Sequence, residues 1–131
     1  MSVVVLDAAA VVDVLIGRDD GHRLRARIRA DADLHTVAHL DAEVLSALGR
    51  LHRAGDLSAT DVDARLRTLA SLPLRRVPIT GGLLERAWSL RERVALRDAL
   101  YVAAAMGLDG KVLTTDARLR RAVPDHTIRL P

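Results

Sequence analysis

SVVVL (residues 2–6) is an unbroken apolar run rich in β-branched side chains. It lacks the alternation of a strand with one wet face, so it predicts a strand buried on both faces, as in a parallel sheet. The period then changes. DAAAVVDVLIG (7–17) sets Ala8, Val11 and Leu15 on one helical face and reaches a stop signal at Gly17. GHRLRARIRADA (21–32) carries both periods: Arg23, Arg25, Arg27 and Arg29 alternate as in a strand, while Leu24 and Ile28 recur at i,i+4. Its length and alanine content favour a helix. DLHTV (33–37) predicts a second strand. DAEVLSALGRLHRAG (41–55) has Val44, Leu45, Leu48 and Leu51 at helical spacing, with Gly55 as terminator. SATDVDARLRTLASL (58–72) opens on a capping Ser58, carries Val62, Leu66 and Leu69, and stops at Pro73.

LRRVPI (74–79) predicts a short strand, and TGGLLERAWSLRERVAL (80–96) a helix with Leu84, Ala87, Trp88 and Arg91 at i,i+3/i+4. DALYVAAAMG (98–107) is apolar nearly all round, the signature of a buried helix. KVLTT (111–115) predicts a strand, DARLRRAV (116–123) a short helix and HTIRL (126–130) a last strand. Helices between short apolar strands imply an α/β fold with a parallel sheet covered on both faces. No repeat, low-complexity tract or linker divides the chain, so residues 1–131 are expected to form one domain.

Composition narrows this picture. Half the residues are apolar, yet there is no Phe, one Trp and one Tyr, so the core must be Leu, Val, Ala and Ile. Without cysteine there is neither a disulfide framework nor a thiolate metal site, and a reducing cytoplasm is the expected location. The N-terminal apolar run has no basic lead and is broken by Asp7 and Asp13, which argues against a secretory signal. No stretch approaches the ~18 uninterrupted apolar residues of a membrane span. The net charge of +3 comes almost wholly from Arg, with Lys111 the only lysine. Arg suits bidentate contact with phosphate. A surplus this small is equally what an Ala- and Arg-rich, GC-rich coding sequence produces.

The acids carry the candidate chemistry. Asp7 directly follows VVVL, and Asp116 follows KVLTT, which puts both at strand ends, where open α/β sheets bind ligands. Glu43 and Asp98 fall in the first turns of apolar helices. There the helix dipole favours an acid, so each has a purely structural explanation when taken singly. Together they imply more. Two carboxylates ~5 Å apart repel by about 3 kcal/mol at an effective dielectric near 20. A cleft collecting all of them needs a cation, and oxygen-only ligands select Mg²⁺ or Mn²⁺. Such an ion suits attack of water on a phosphodiester.

LDAAAVVDVL, DAEVLSAL, RDALYVAAA and LTTDARL together resemble the PIN-domain ribonucleases, and among them the VapC-type toxins of bacterial toxin–antitoxin pairs. The likeness spans essentially the whole chain, and its most specific part is the pair DALYVAAA and LTTDARL. It implies a three-layer α/β/α fold around a mainly parallel sheet of four to five short strands. It implies a Mg²⁺- or Mn²⁺-dependent endoribonuclease with an RNA substrate, a cognate VapB-type antitoxin, a homodimeric state and no membrane association. The family's acids fall on Asp7, Glu43, Asp98 and Asp116, and its strand-end hydroxyl on Thr114, placed to position a carboxylate or a water. Asp7, Asp98 and Asp116 are expected to hold the metal; Glu43 completes the shell or helps deprotonate water. One departure stands out: Ala9 occupies a position where family members often carry Ser.

Other residues have simpler expectations. Asp13 is expected to be solvated or capping, and Asp41 to be the N-cap of the Glu43 helix. His22, His35, His39, His52 and His126 show no zinc spacing, and His39 has a surface or capping role beside a possible assisting one. Arg97 either contacts a phosphate, pairs with a neighbouring acid or is a solvated helix-end charge, and the Arg23–Arg29 series forms either an RNA-facing rim or a solvated helix face. Apolar helices around Leu45, Leu48 and Trp88 are expected to supply part of a homodimer or antitoxin surface. Rival functions fit less well. A receiver domain wants an acidic pair after its first strand, and a haloacid-type phosphatase wants Asp-x-Asp there, where this chain has Asp7-Ala8-Ala9. The different-class alternative is an inactive PIN-like domain whose acidic pocket binds a basic peptide or RNA.

Overall fold

The computed structural model describes residues 3–17, 19–30 and 33–128. The elements are β1 (Val4–Leu6), α1 (Ala8–Ile16), α2 (Asp19–Ala30), β2 (Leu34–Val37), α3 (Leu40–Arg53) and α4 (Ala59–Ser71). They continue with β3 (Arg75–Val77), α5 (Gly81–Ser89), α6 (Leu96–Gly107), β4 (Lys111–Leu113) and α7 (Ala117–Ala122), followed by a 3₁₀ turn at Pro124–His126. The strands form one sheet of order β3-β2-β1-β4, all neighbours parallel.

β1 is central and every residue of it is buried, which is why its run shows no alternation. β3 lies at an edge, and its Arg75 and Arg76 are exposed, as suits a strand that must not recruit another chain. Two successive crossovers carry the chain from β1 to β2 to β3 in one direction. Right-handedness places their helices, α1 to α4, on one face of the sheet. The long crossover from β3 to β4 runs the other way and puts α5 and α6 on the opposite face. The packing agrees: α1 contacts α2, α3 and α4, whereas α6 lies on α5 and spans β1, β2 and β4. Reversal of strand order makes the crevice between β1 and β4 the switch point, where ligands bind in such folds.

Several local expectations are met. Gly17 closes α1 in the left-handed region at φ 73°, and Ser58 and Asp61 form a reciprocal capping box at the start of α4. The ambiguous arginine-rich segment is the helix α2, held by buried Leu24 and half-buried Ile28. Gly21 is needed where α2 crosses α1, because a methyl group there would overlap the Asp13 carbonyl.

Others are corrected. The last strand expected at 126–130 is reduced to a single parallel bridge, Val112 to Thr127, with Ile128 N–H donating to Val112 O at 2.9 Å. Pro124 opens a 3₁₀ turn that consumes His126 before pairing can begin; residues 129–130 of that segment, like Ser2 of the first strand, lie outside the described residues. Asp41 is not an N-cap. α3 begins at Leu40 with His39 in the cap position, so Asp41 sits in the first turn and forms a two-pronged ion pair with Arg76 of β3 at 2.6 and 2.8 Å. α5 ends at Ser89, leaving Arg91 in a turn, its guanidinium over the Trp88 ring. Leu48 is fully buried, since Leu40, Val44 and Leu48 form the inward stripe of α3. Exposed Leu45 and exposed Trp88 therefore lie on opposite sides of the sheet and share no single apolar surface.

Candidate functional site

β1 ends at Leu6, and the next residue, Asp7, is at once the strand-end acid and the N-cap of α1. Its Oδ1 accepts from Ala10 N–H at 2.9 Å. Only 3% of Asp7 is exposed. β4 mirrors this arrangement. After Leu113 come the fully buried Thr114 and then Asp116, the N-cap of α7, whose Oδ1 accepts from Arg118 N–H at 2.9 Å. Thr114 ties the two strand ends together: its hydroxyl oxygen accepts from Asp116 N–H at 2.9 Å, and its side chain hydrogen-bonds the Asp7 carboxyl. From β2, the buried Thr36 donates to Leu6 O at 2.8 Å, pinning the backbone immediately before Asp7.

Glu43 and Asp98 arrive from the two helical layers. Glu43 projects from the first turn of α3, and Asp98 from the first turn of α6. Tyr101, three residues on and so on the same side of α6 as Asp98, donates its hydroxyl to Glu43 Oε1 at 2.7 Å. His39 Nε2 stands 2.8 Å from the same oxygen, but neither ring nitrogen has an aligned hydrogen-bond partner among the described residues. The imidazole acts here by proximity and by stacking on Tyr101, with ring centroids 4.7 Å apart.

All four expected acids, Asp7, Glu43, Asp98 and Asp116, line one cavity of about 300 Å³. Asp13 lines it too, contrary to the expectation of a solvated or capping role. The reason is register. Ala8, Ala9, Val12 and Asp13 fall on one face of α1, and that face is the cavity wall. Arg50 and Arg97 also line it, and the Arg97 charge acts on neighbouring Asp98.

The acids feel one another. Burial, followed by the nearby charges of Asp98 and Asp116, pushes the Asp7 carboxyl up to about 7, against the bonds from Thr114 and Ala10 that pull it down. Asp98 is also raised, first by burial and then by Asp116 and Glu43, with Arg97 opposing. The Tyr101 hydroxyl is raised by burial and by its bond to Glu43, so it stays a donor.

The donor set is oxygen-only, matching hard divalent cations. A buried carboxylate held among like charges is the local condition such an ion relieves. Among the described residues no three His, Asp or Glu side chains are drawn tightly enough to enclose an ion as they stand. The acids line an open cavity and form no closed cage.

Sequence reasoning missed Tyr101, Thr36 and Arg50. Tyr101 had a usable signal in its i+3 spacing from Asp98, and Arg50 in its i+7 spacing from Glu43 through Ala47. Thr36 had none beyond being a lone hydroxyl in an apolar strand. The remaining histidines lie elsewhere: His35 pairs with Asp33 at 2.8 Å, and His52 bonds Leu57 O at 2.9 Å. In the Arg23–Arg29 series, Arg25 is exposed, and the Arg29 side chain lies outside the described residues.

A parallel sheet with acids converging at its switch point makes this an α/β domain with an acidic ligand site, and the chain belongs to the PIN-domain family, whose model matches residues 4–123. It is 48% identical over 127 residues to Ribonuclease VapC3 of Mycobacterium tuberculosis, an alignment covering 95% of this chain and 91% of that one. It is 39% identical over 118 residues to Ribonuclease VapC1 of the same species, covering 90% and 89%. In fold it is similar to a toxin–antitoxin complex from Klebsiella pneumoniae (TM-score 0.71, 18% identity, 96% of each chain). It is also similar to PAE2754 from Pyrobaculum aerophilum (TM-score 0.73, 18% identity, 97% and 88% of the chains).

Proposed function

We propose that this chain is a ribonuclease of the VapC type, an endonuclease acting on RNA phosphodiesters as the toxin of a toxin–antitoxin pair. One observation carries the reading above the others. Acids that follow β1 and β4 and sit in the first turns of α3 and α6, far apart in sequence, line a single cavity, and burial together with their neighbours' charges raises the proton affinity of Asp7 and Asp98. The similarity to ribonucleases named VapC over nine-tenths of the chain supports it. The described residues share one continuous core and act as a single catalytic domain. The toxin works in the cytoplasm, where its RNA is; no helix of the described residues is long and apolar enough to cross a membrane.

Asp7, Glu43, Asp98 and Asp116 are the residues that would hold Mg²⁺ or Mn²⁺. When bound, such an ion supplies positive charge to the phosphate and acidifies water at the site. The chain's own residues do the rest. Thr114 orients Asp7 and Asp116 with respect to each other through its two hydrogen bonds. Tyr101 fixes one oxygen of Glu43, leaving Oε2 to accept a proton from the attacking water. Arg50 and Arg97 stand at the rim, where a phosphate must enter past acids that repel it. The absent Ser is replaced functionally: Asp7 is already held by Ala10 N–H and Thr114, so Ala9 costs the site little.

A cognate antitoxin restrains the enzyme, and the exposed Leu84 and Trp88 face of α5 is available for a second copy. The decisive experiment is cleavage of single-stranded RNA by purified protein with Mg²⁺, with Mn²⁺ and with chelator, beside Asp98→Asn. Metal-dependent cleavage lost in the variant is expected. RNA that is bound but never cut, with either metal, would return the chain to the inactive binding module.

A further inference from the structure

The acid-lined cavity shares a wall with a second one. Arg97, Asp98 and Asp116 border both. Beyond that wall arginines outnumber acids: the second cavity, about 220 Å³, adds Arg93 from the turn before α6 and Arg118 from α7 to the shared Arg97, Asp98 and Asp116. Among the described residues neither Arg93 nor Arg118 has an ion-pair partner, whereas Arg67 and Arg76 pair with Asp63 and Asp41. Its apolar floor, Val94 and Leu119, is buried and holds both segments against the core.

A concentration of unpaired guanidiniums beside a carboxylate cluster is unexpected if only protein is considered, because the nearest acids could have paired with them. Asp98 and Asp116 border both cavities and form no ion pair with Arg93 or Arg118 among the described residues; Asp116 Oδ1 is already taken by the Arg118 N–H. The two cavities thus place a cluster of acids next to a cluster of arginines with a common wall. A monoanion needs only the first. A polyanionic strand with phosphates in succession needs both.

We infer that Arg93, Arg97 and Arg118 form a second phosphate subsite that grips the phosphodiester neighbouring the scissile one on single-stranded RNA. This rests on the ribonuclease reading for its substrate and extends it with a register: one phosphate over the acids, the next in the arginine pocket. Arg guanidiniums suit this task because their planar forks match phosphate oxygens. Arg97, on the shared wall, touches both positions, and Arg93 and Arg118 touch only the outer one.

The test compares Arg93→Gln/Arg118→Gln with the unmodified protein and with Arg67→Gln, which removes a charge outside the groove. Binding of a short fluorescein-labelled mixed-sequence single-stranded RNA is followed by anisotropy in chelator over a range of salt. Loss of one phosphate contact makes the slope of log K against log salt shallower by about 0.7. Arg67→Gln keeps the original slope. In the cleavage assay with divalent metal, the double variant raises KM roughly tenfold while kcat stays within about twofold, the pattern of lost uniform binding. Arg93→Lys/Arg118→Lys recovers part of the affinity, since charge remains but the fork does not.

An unchanged slope in the double variant overturns the subsite and leaves those arginines to an acidic protein segment. A slope change equal to that of Arg67→Gln overturns it too, reducing the effect to net charge. The ribonuclease reading fails separately, if the unmodified protein cuts no RNA with any metal; the anisotropy arm is readable in either case.

Discussion

The Tyr101 hydroxyl is committed to one oxygen of Glu43, from a helix whose first turn carries Asp98. Removing that hydroxyl frees the carboxylate to rotate without opening a cavity. Tyr101→Phe should therefore lower divalent-metal affinity or turnover roughly 10- to 100-fold, as loss of an outer-shell partner does. Its thermal midpoint should shift little. Metal titrations of the cleavage rate, run beside thermal unfolding, separate the two; an unaltered metal dependence would make the hydroxyl merely structural. Thr36→Val, nearly isosteric, removes the donor to the buried Leu6 carbonyl and should cost about 1–3 kcal/mol in denaturant unfolding. The acids were legible in sequence because a strand end and a helix first turn are local signals. The place of Tyr101 beside Asp98 was readable from their i+3 spacing, but its bond to Glu43 was not, because that partner lies 58 residues away and only the fold brings them together. Asp41 shows the limit from the other side. A two-residue shift in the start of α3 moved it from cap to first turn, and a β3 arginine 35 residues on then claimed it.

Elements divide into those that shape the site and those that only support it. α4 supports: none of its residues lines the acidic cavity. Ser58→Ala removes the side-chain half of its capping box, the bond from Asp61 N–H, while residue 58 keeps the backbone N–H that donates to Asp61, and should cost about 1 kcal/mol. kcat of the folded enzyme should not change; a fall in kcat at temperatures well below unfolding would tie α4 to the site. α2 is closer to it, since Gly21 lies against the Asp13 carbonyl on the helix that forms the cavity wall. Gly21→Ala must push α2 away and should cost about 1–3 kcal/mol by overpacking, measurable by urea unfolding. Strand β1 was readable because a central parallel strand is a continuous apolar run, here bounded by an abrupt change of period. The last strand was misread for a specific reason. HTIRL has strand composition, but Pro124 fixes a tight turn just upstream, and only Thr127 reaches the ladder. Composition reports what a segment tolerates; the preceding turn decides where it lies.

Across the whole molecule, folding concentrates negative charge where the sequence spreads it, and that concentration has a thermodynamic signature. The Asp7 carboxyl rises from 3.8 to about 7 on folding, chiefly through burial, and Asp98 moves the same way. A folded-state value above the unfolded one means the native state binds protons more tightly. The associated stability is fully present below the unfolded value and is lost as pH rises through the folded one. For Asp7 the loss runs from about pH 4 to about pH 7 and corresponds to roughly 4 kcal/mol. Asp41, held low by Arg76, has the opposite sign, but its contribution changes only below its unfolded value of 3.8 and so leaves this window untouched. Chelator-treated protein should therefore melt at a lower temperature at about pH 8 than at about pH 5. Mg²⁺ or Mn²⁺ should raise the midpoint at the higher pH and do much less at the lower, because protons compete for the same oxygens. Asp7→Asn removes the buried charge. It should flatten the pH dependence in chelator, melt higher than the unmodified protein at about pH 8, and cut no RNA. Thermal unfolding of both proteins at the two pH values, with and without metal, gives every comparison. A chelated protein equally stable at both, or a variant that keeps the full metal response, would mean that Asp7 is not where folding stores the charge.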